Sequence, residues 1–249
     1  MTGRALLLGF LVMAGAGCAS REAATTTKAY DPFEPVNRVV YRVNDLGDRY
    51  LLRPAAVGYT RGTPRQFRSG IRNAFSNLRY PITIVNALLQ GKFAQAGHDS
   101  GRFLLNSTVG LGGFLDPATR IGLGENDEDF DQTMAVWGLA QGPYLVIPLL
   151  GPRTTRHAFS ELVDAPLSPF VSIANGELSV SLGLWLIYQV DGRSRLLDAD
   201  QQVFEAFDPY LFVRDAYYQH RQYRALDGDV PEDDSYLDDP EFDDEAAED

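Results

Sequence analysis

Two long stretches of this chain are almost free of charge, and neither can be one membrane-spanning helix. From Gln132 to Pro152 there is no charged residue in twenty-one positions, and from Ala165 to Val190 the one charge is Glu177. A helix exposed to hydrocarbon must satisfy its backbone groups internally, because lipid offers them no partner. Gly138, Gly142, Pro143, Pro148 and Gly151 interrupt the first stretch, and Pro166, Pro169, Gly176 and Gly183 the second. Two alternatives remain: a buried core, or a surface that lies in lipid without crossing it. The segment Leu178 to Val190 is apolar on nearly every face and carries Trp185 and Tyr188 as interfacial residues do, so it fits either.

The ends of the chain point toward a membrane surface. Arg4, an apolar run from Ala5 to Met13 and the small residues Ala14 to Gly17 read as a signal peptide over residues 1–17. Cys18 follows directly, as in a bacterial lipobox, although Gly15 stands where Leu is usual. Cys18 is the lone cysteine, so a structural disulfide is excluded and acylation is its expected role, with a diacylglyceryl and an N-acyl lipid as the covalent groups. Neither Ala19 nor Ser20 is the Asp that retains lipoproteins in the inner membrane, which leaves the outer membrane as the expected destination. Residues 18–28 read as an acylated tether. Residues 227–249 hold thirteen Asp or Glu and no basic residue, and are expected to form a disordered acidic tail. The tail accounts for the net charge of −12, and outside the signal peptide the rest of the chain, 18–226, balances 21 acidic against 21 basic residues, so the body is close to neutral. A neutral body has no phosphate footprint, which argues against nucleic acid as a partner.

The body is the size of one domain, and its clear signals are helical. Thr63 and Pro64 read as an N-cap followed by Pro at the first helical position, with Phe67, Ile71, Phe75 and Leu78 forming an apolar stripe and Arg65, Arg68 and Arg72 off it. Pro81 is expected to start a second segment, closed by Gly91, and a third runs from Lys92 to about Ser107. Asp208 and Pro209 cap a further helix to about Arg224.

Catalytic patterns are weak. There is no G-x-S-x-G turn, and His98, His157 and His220 lie far apart. His157 and Ser160 are close in sequence, but a hydrolase also needs a strained nucleophile turn and an oriented base. The acidic run Glu125, Asp127, Glu128, Asp129 and Asp131 lacks the central Gly and terminal Glu of a calcium loop, and reads as solvated. No metal site and no enzyme activity are expected. Gly110, Gly112 and Gly113, set among Leu105, Val109, Leu111, Phe114 and Leu115, do not fit a dinucleotide fingerprint. They allow a tight apolar turn, either packed in a core or inserted against acyl chains.

Several motifs in order carry a family resemblance: D-P-F-E-P-V-N-R at Asp31 to Arg38, L-R-P at Leu52 to Pro54, L-L-Q-G at Leu88 to Gly91, R-F-L-L-N-S-T-V-G-L-G-G-F-L-D at Arg102 to Asp116, G-P-Y at Gly142 to Tyr144, L-L-D at Leu196 to Asp198, and D-P-Y-L-F-V-R-D-A-Y at Asp208 to Tyr217. Over nearly the whole body the chain resembles the MlaA (VacJ) phospholipid-transport lipoproteins. The resemblance implies a mainly α, disc-like domain with interfacial amphipathic helices around a central channel, periplasm-facing in the outer membrane. It further implies removal of misplaced phospholipid from the outer leaflet to a periplasmic phospholipid-binding carrier, with a trimeric porin as partner. Gly110, Gly112, Gly113, Phe114, Leu115 and Asp116 match the family's channel hairpin. The family's gating segment falls on Tyr41 to Asp48, including Val43, Asn44 and Asp45, in a copy one residue shorter than the family pattern. Arg102 and Asn106 are candidate headgroup contacts, with a helix-surface pair as the alternative. A porin scaffold that handles no lipid, and more remotely a membrane-surface lipase, are the rival functions.

Overall fold

The computed structural model describes residues 29–168 and 177–230. The signal peptide, Cys18 and its tether, Pro169, Gly176 and the acidic residues from 231 onward lie outside the described residues. Helix α1 (Glu34–Gly47) passes through a π-helical turn (Asp48–Leu52) into α2 (Arg53–Gly62). Then come α3 (Arg65–Leu89) and α4 (Phe93–Thr108), which pack together as a helical hairpin across Gly91, whose φ of 78° suits glycine. A glycine-rich turn leads to α5 (Pro117–Arg120) and α6 (Phe130–Val136). Strands β1 (Tyr144–Ile147) and β2 (Gly151–Thr154) pair antiparallel, Tyr144 opposite Thr154 and Ile147 opposite Gly151. The chain ends in α7 (Thr155–Asp164), α8 (Leu178–Ser194), α9 (Asp200–Glu205) and α10 (Pro209–Ala225).

The fold is mainly helical, as expected, and two local expectations change. Pro81 does not start a helix but sits inside α3. Its missing N–H and ring cost about 3 kcal/mol in a helix interior; burial of Asn77, Tyr80, Ile82 and Thr83 on both sides of it holds the helix continuous. Thr63 does not cap α3: Pro64 occupies the N-cap position, with no side-chain hydrogen bond there. By contrast, the Asp208 carboxylate accepts from the N–H groups of Tyr210 and Leu211 at 3.0 and 3.3 Å, as its sequence position predicts. The first charge-free stretch becomes the end of α6 and the β-hairpin. Among the described residues no helix is long and apolar enough to cross a membrane.

The distribution of side chains is inverted relative to a water-soluble domain. Eleven apolar or tyrosine residues are buried, against seventeen polar or charged ones, while thirty-eight large apolar side chains are exposed among the described residues. Helix α8 states the pattern most simply: Leu178, Val180, Leu182, Leu186 and Ile187 are exposed, and its one buried residue is Asp191. The alternatives left open for this segment are thereby decided against a core. Exposed apolar area on this scale marks a surface whose surroundings are not water.

The apolar core is small and rich in tyrosine, formed by Tyr144, Val146 and Tyr210 with Val40, Tyr41, Leu211, Tyr217 and Tyr218 around them. It explains the first and last sequence motifs, which meet there. Asn37 donates to Asp31 (2.8 Å) and to the Tyr144 carbonyl (3.0 Å) and accepts from the Val146 N–H (2.9 Å), so it behaves as an extra strand partner for β1. Asp31 also accepts from the Tyr210 hydroxyl, and Arg38 forks onto Asp208 at 3.2 and 2.8 Å.

Candidate functional site

The turn after α4 is built on three glycines, two of which, Gly110 and Gly113, stand where a side chain does not fit. Gly112 and Gly113 have φ of 70° and 90°, and Leu111 between them and Gly110 is also left-handed at 55°. A Cβ on Gly113 would collide with the Asn77 side chain, and one on Gly110 with the Asn106 and Leu115 carbonyls. The turn closes through Gly113 N–H to Asn106 O and Leu115 N–H to Gly110 O, both 2.8 Å. Phe114 is thrown onto α3, where its ring occupies the space a side chain at Gly70 would need and meets Phe67 edge-on at 5.5 Å. Val109 and Leu111, 64 and 72 % exposed, stand out from the turn.

Beneath the turn, Asp116 is the junction. It accepts from Arg102 Nη2 (2.8 Å), Asn106 Nδ2 (3.1 Å), the Thr119 hydroxyl (2.6 Å) and the Thr119 N–H (3.2 Å), the last making it the N-cap of α5. Asn106 in turn accepts from the Ala118 N–H at 3.1 Å, and Arg102 donates to Thr119 at 2.8 Å. Burial opposes a charge on Asp116, but the bonds from Thr119, Arg102 and Asn106 outweigh it and hold the carboxyl below its ordinary range.

Arg102 and Asn106 are therefore neither a helix-surface pair nor open to a headgroup in this conformation. Both are 3 % exposed and committed to the foot of the turn. The polar side chains of the Tyr41 to Asp48 segment are committed to other parts of the body. Asn44 donates to the Ile147 carbonyl (3.0 Å) and accepts from the Leu149 N–H (2.9 Å), holding the tip of the β-hairpin. Asp45 pairs with Arg49 at 2.9 Å, Asp48 takes a fork from Arg193 of α8 at 2.7 and 3.0 Å, and Val43 is exposed.

A groove of about 850 Å³ lies between the first turns of α3 and the glycine turn with α5. Its apolar wall includes Phe67, Val109, Phe114 and Leu115, and its polar edge includes Arg65, Ser69, Asn73 and Arg120. Sequence reading placed Arg65 off the apolar stripe of its helix but gave no sign that Arg120 would face it. The two are brought together only when α5 folds back under the turn.

The acidic run is solvated only at Glu125 and Asp127, which are exposed. Glu128, Asp129 and Asp131 are buried, and Arg221 of α10 reaches both aspartates, with 2.8 and 2.9 Å bonds to Asp129 and one of 2.9 Å to Asp131. Arg156 of α7 adds 2.7 Å to Asp131, and Lys92 adds 2.9 Å to Glu128. Lys92 also binds Asp227, the first residue of the acidic segment, at 2.6 Å. His157 and Ser160 do not form a nucleophile and base: the serine donates to the His157 carbonyl (2.7 Å), and the His157 Nδ1 faces the Tyr217 hydroxyl (2.8 Å).

Among the described residues, buried polar groups, many exposed large apolar side chains and the lack of a spanning helix, with an amphipathic groove beside a glycine-built turn, mark a protein that works against an apolar partner or a lipid surface. The chain belongs to the MlaA lipoprotein family, whose sequence model matches residues 29–224. It is 34 % identical over 233 residues to the Shigella flexneri intermembrane phospholipid transport system lipoprotein MlaA, covering 91 % of this chain and 89 % of that protein. The Haemophilus influenzae protein of the same name is 32 % identical, covering 87 % of this chain and 88 % of its own length. A solved structure, reported as the structural basis for maintenance of bacterial outer membrane lipid asymmetry, superposes with a TM-score of 0.71 at 34 % identity, over 78 % of this chain and 98 % of that one.

Proposed function

We propose that this chain is an acylated, periplasm-facing lipoprotein of the outer membrane that takes misplaced phospholipid from the outer leaflet and passes it to a soluble periplasmic carrier. The observation that carries this reading is the side-chain distribution, with seventeen buried polar or charged residues and thirty-eight exposed large apolar ones among the described residues. Moving a lipid headgroup through hydrocarbon is prohibitive because a charged group loses its hydration. A helical body seated in the bilayer with a polar interior lowers that cost and leaves the acyl chains against apolar surface. The exposed Val109, Leu111 and Leu115 of the glycine turn present such a surface at the groove. The transfer is passive and makes no covalent bond. Cys18 carries the lipid anchor, and a trimeric porin is the membrane partner, supplying a wall for the apolar exterior to lie against.

The test is surface-exposed phospholipid in cells lacking this protein, measured by outer-leaflet labelling, with the wild-type gene or a Cys18→Ala copy restored. Loss should raise outer-leaflet phospholipid, and the acylated form alone should correct it. Unchanged asymmetry would leave a porin scaffold as the function.

A further inference from the structure

Arg65 and Arg120 face the groove from its two walls, one on the first turn of α3 and the other at the end of α5. Neither has an ion pair or hydrogen bond among the described residues, whereas Arg38, Arg102, Arg156, Arg193 and Arg221 are all paired to carboxylates. Arg65 also heads a stripe with Arg68 and Arg72, at i, i+3 and i+7 on one side of α3, and these too lack a carboxylate partner among the described residues. The Nε of Arg68 is buried without an acceptor. The one carboxylate lining the groove, Asp116, is already matched by Arg102 and Asn106. The groove therefore combines an apolar wall with an uncompensated positive edge.

We propose that this groove selects among phospholipids by headgroup charge, with Arg65 and Arg120 holding the phosphate and favouring lipids of net negative headgroup. The inference rests on the phospholipid-transport reading and names its preferred substrate. The apolar wall of Phe67, Val109, Phe114 and Leu115 asks for an acyl chain beside the anion, which a free phosphate does not supply. A zwitterionic headgroup brings an ammonium that needs a carboxylate, and the groove has none to spare. An anionic headgroup such as that of phosphatidylglycerol brings no such group, and two guanidinium forks match its phosphate oxygens.

The acylated full-length protein, incubated with detergent micelles holding equal phosphatidylglycerol and phosphatidylethanolamine and then recovered, is extracted and its lipids are quantified by mass spectrometry. Wild type should carry phosphatidylglycerol in roughly fivefold excess, the size expected for partly screened charge contacts. Arg65→Gln with Arg120→Gln should return the ratio to that of the micelles while total bound lipid is kept. Arg42→Gln, which changes an exposed arginine of α1 outside the groove, should leave the excess intact. Bound lipid at the micelle ratio in wild type, or an excess that survives the double substitution, overturns the inference and leaves the transport reading standing. Recovery of wild type with no phospholipid overturns both.

Discussion

Helix α8 and the charged knot beneath α10 are opposites in composition and in placement. The former has a run of leucines, Trp185 and Tyr188, and lies at the surface. The latter joins Asp129, Asp131, Arg156 and Arg221 from α6, its N-cap, α7 and α10, and lies inside, Asp131 being 1 % exposed. In a water-soluble protein the two would change places. What decides is the medium outside: against lipid, apolar side chains lose nothing by facing out, and polar groups must find one another within. The knot fastens α6, α7 and α10 to one another, whereas α8 turns an apolar face outward and is tied to the body at its C-terminal end, where Arg193 forks onto Asp48 and Asp191 accepts from the Tyr59 hydroxyl of α2.

Removing one partner from the knot should have the largest effect. Arg221→Ala removes the cation shared by two buried carboxylates, leaving Asp131 to Arg156 and Asp129 to Arg224, and should cost about 3 kcal/mol of stability, read as a lowered unfolding midpoint of the detergent-solubilised protein. A change below about 1 kcal/mol would mean the knot is hydrated and does not fasten the helices.

Acid should loosen the same region in two stages. Burial, with Arg221 and Arg153 nearby, pushes the His157 imidazole down to about 4 from 6.5. The unfolded chain then binds the extra proton first, so stability falls as pH drops from 6.5 to 4, by on the order of 3 kcal/mol in full. His157→Gln should remove that slope. Burial opposes the charges of Asp129 and Asp131, but the arginine contacts win and depress both carboxyls; their contribution holds above the unfolded value near 3.8 and is lost below it. The substitution should therefore leave a second, steeper loss below about pH 4. A stability profile that is flat from pH 7 to 4 in wild type would contradict the first stage.

At the glycine turn, Gly70→Ala places a methyl where the Phe114 ring lies and should cost about 1–3 kcal/mol through overpacking. Phe114→Leu in the same chain should recover part of the loss, which thermal unfolding of the single and double variants checks. The smallest stability effect belongs to α8: Leu186→Asn changes an exposed side chain and should move the unfolding midpoint in detergent by less than about 0.5 kcal/mol. The same change should weaken retention of a Cys18→Ala form on vesicles, measured by flotation. A large loss of stability in detergent with retention unchanged would reverse the roles assigned to the two regions.

Local signals were legible where their causes are local. The Asp208 cap, the Gly91 stop and the tight turn at Gly110 to Gly113 follow from side-chain and backbone conformations within a few residues. The inward turn of Glu128, Asp129 and Asp131 was not legible, because the arginines that neutralise Asp129 and Asp131 stand 25 to 92 residues further along the chain. Without them, an acidic run is sensibly read as solvated. Arg102 and Asn106 were found as a spaced pair, but their role depends on Asp116 folding back beneath them. Pro81 failed as a boundary because packing on both sides of it outweighs its local cost.

The sequence by itself determined that the chain is helical, that its charge-free stretches cannot span a membrane alone, and, through its ordered motifs, which family it resembles. It could not determine which face of each apolar segment looks outward, because periodicity is the same for a helix against a core and a helix against lipid. Only the tertiary structure decided that the inside is polar, that the first and last motifs meet through Arg38 and Asp208, and that Arg65 and Arg120 share one groove. The physical reason is that burial and charge pairing are properties of segments brought together in space, and no window along the chain contains both partners.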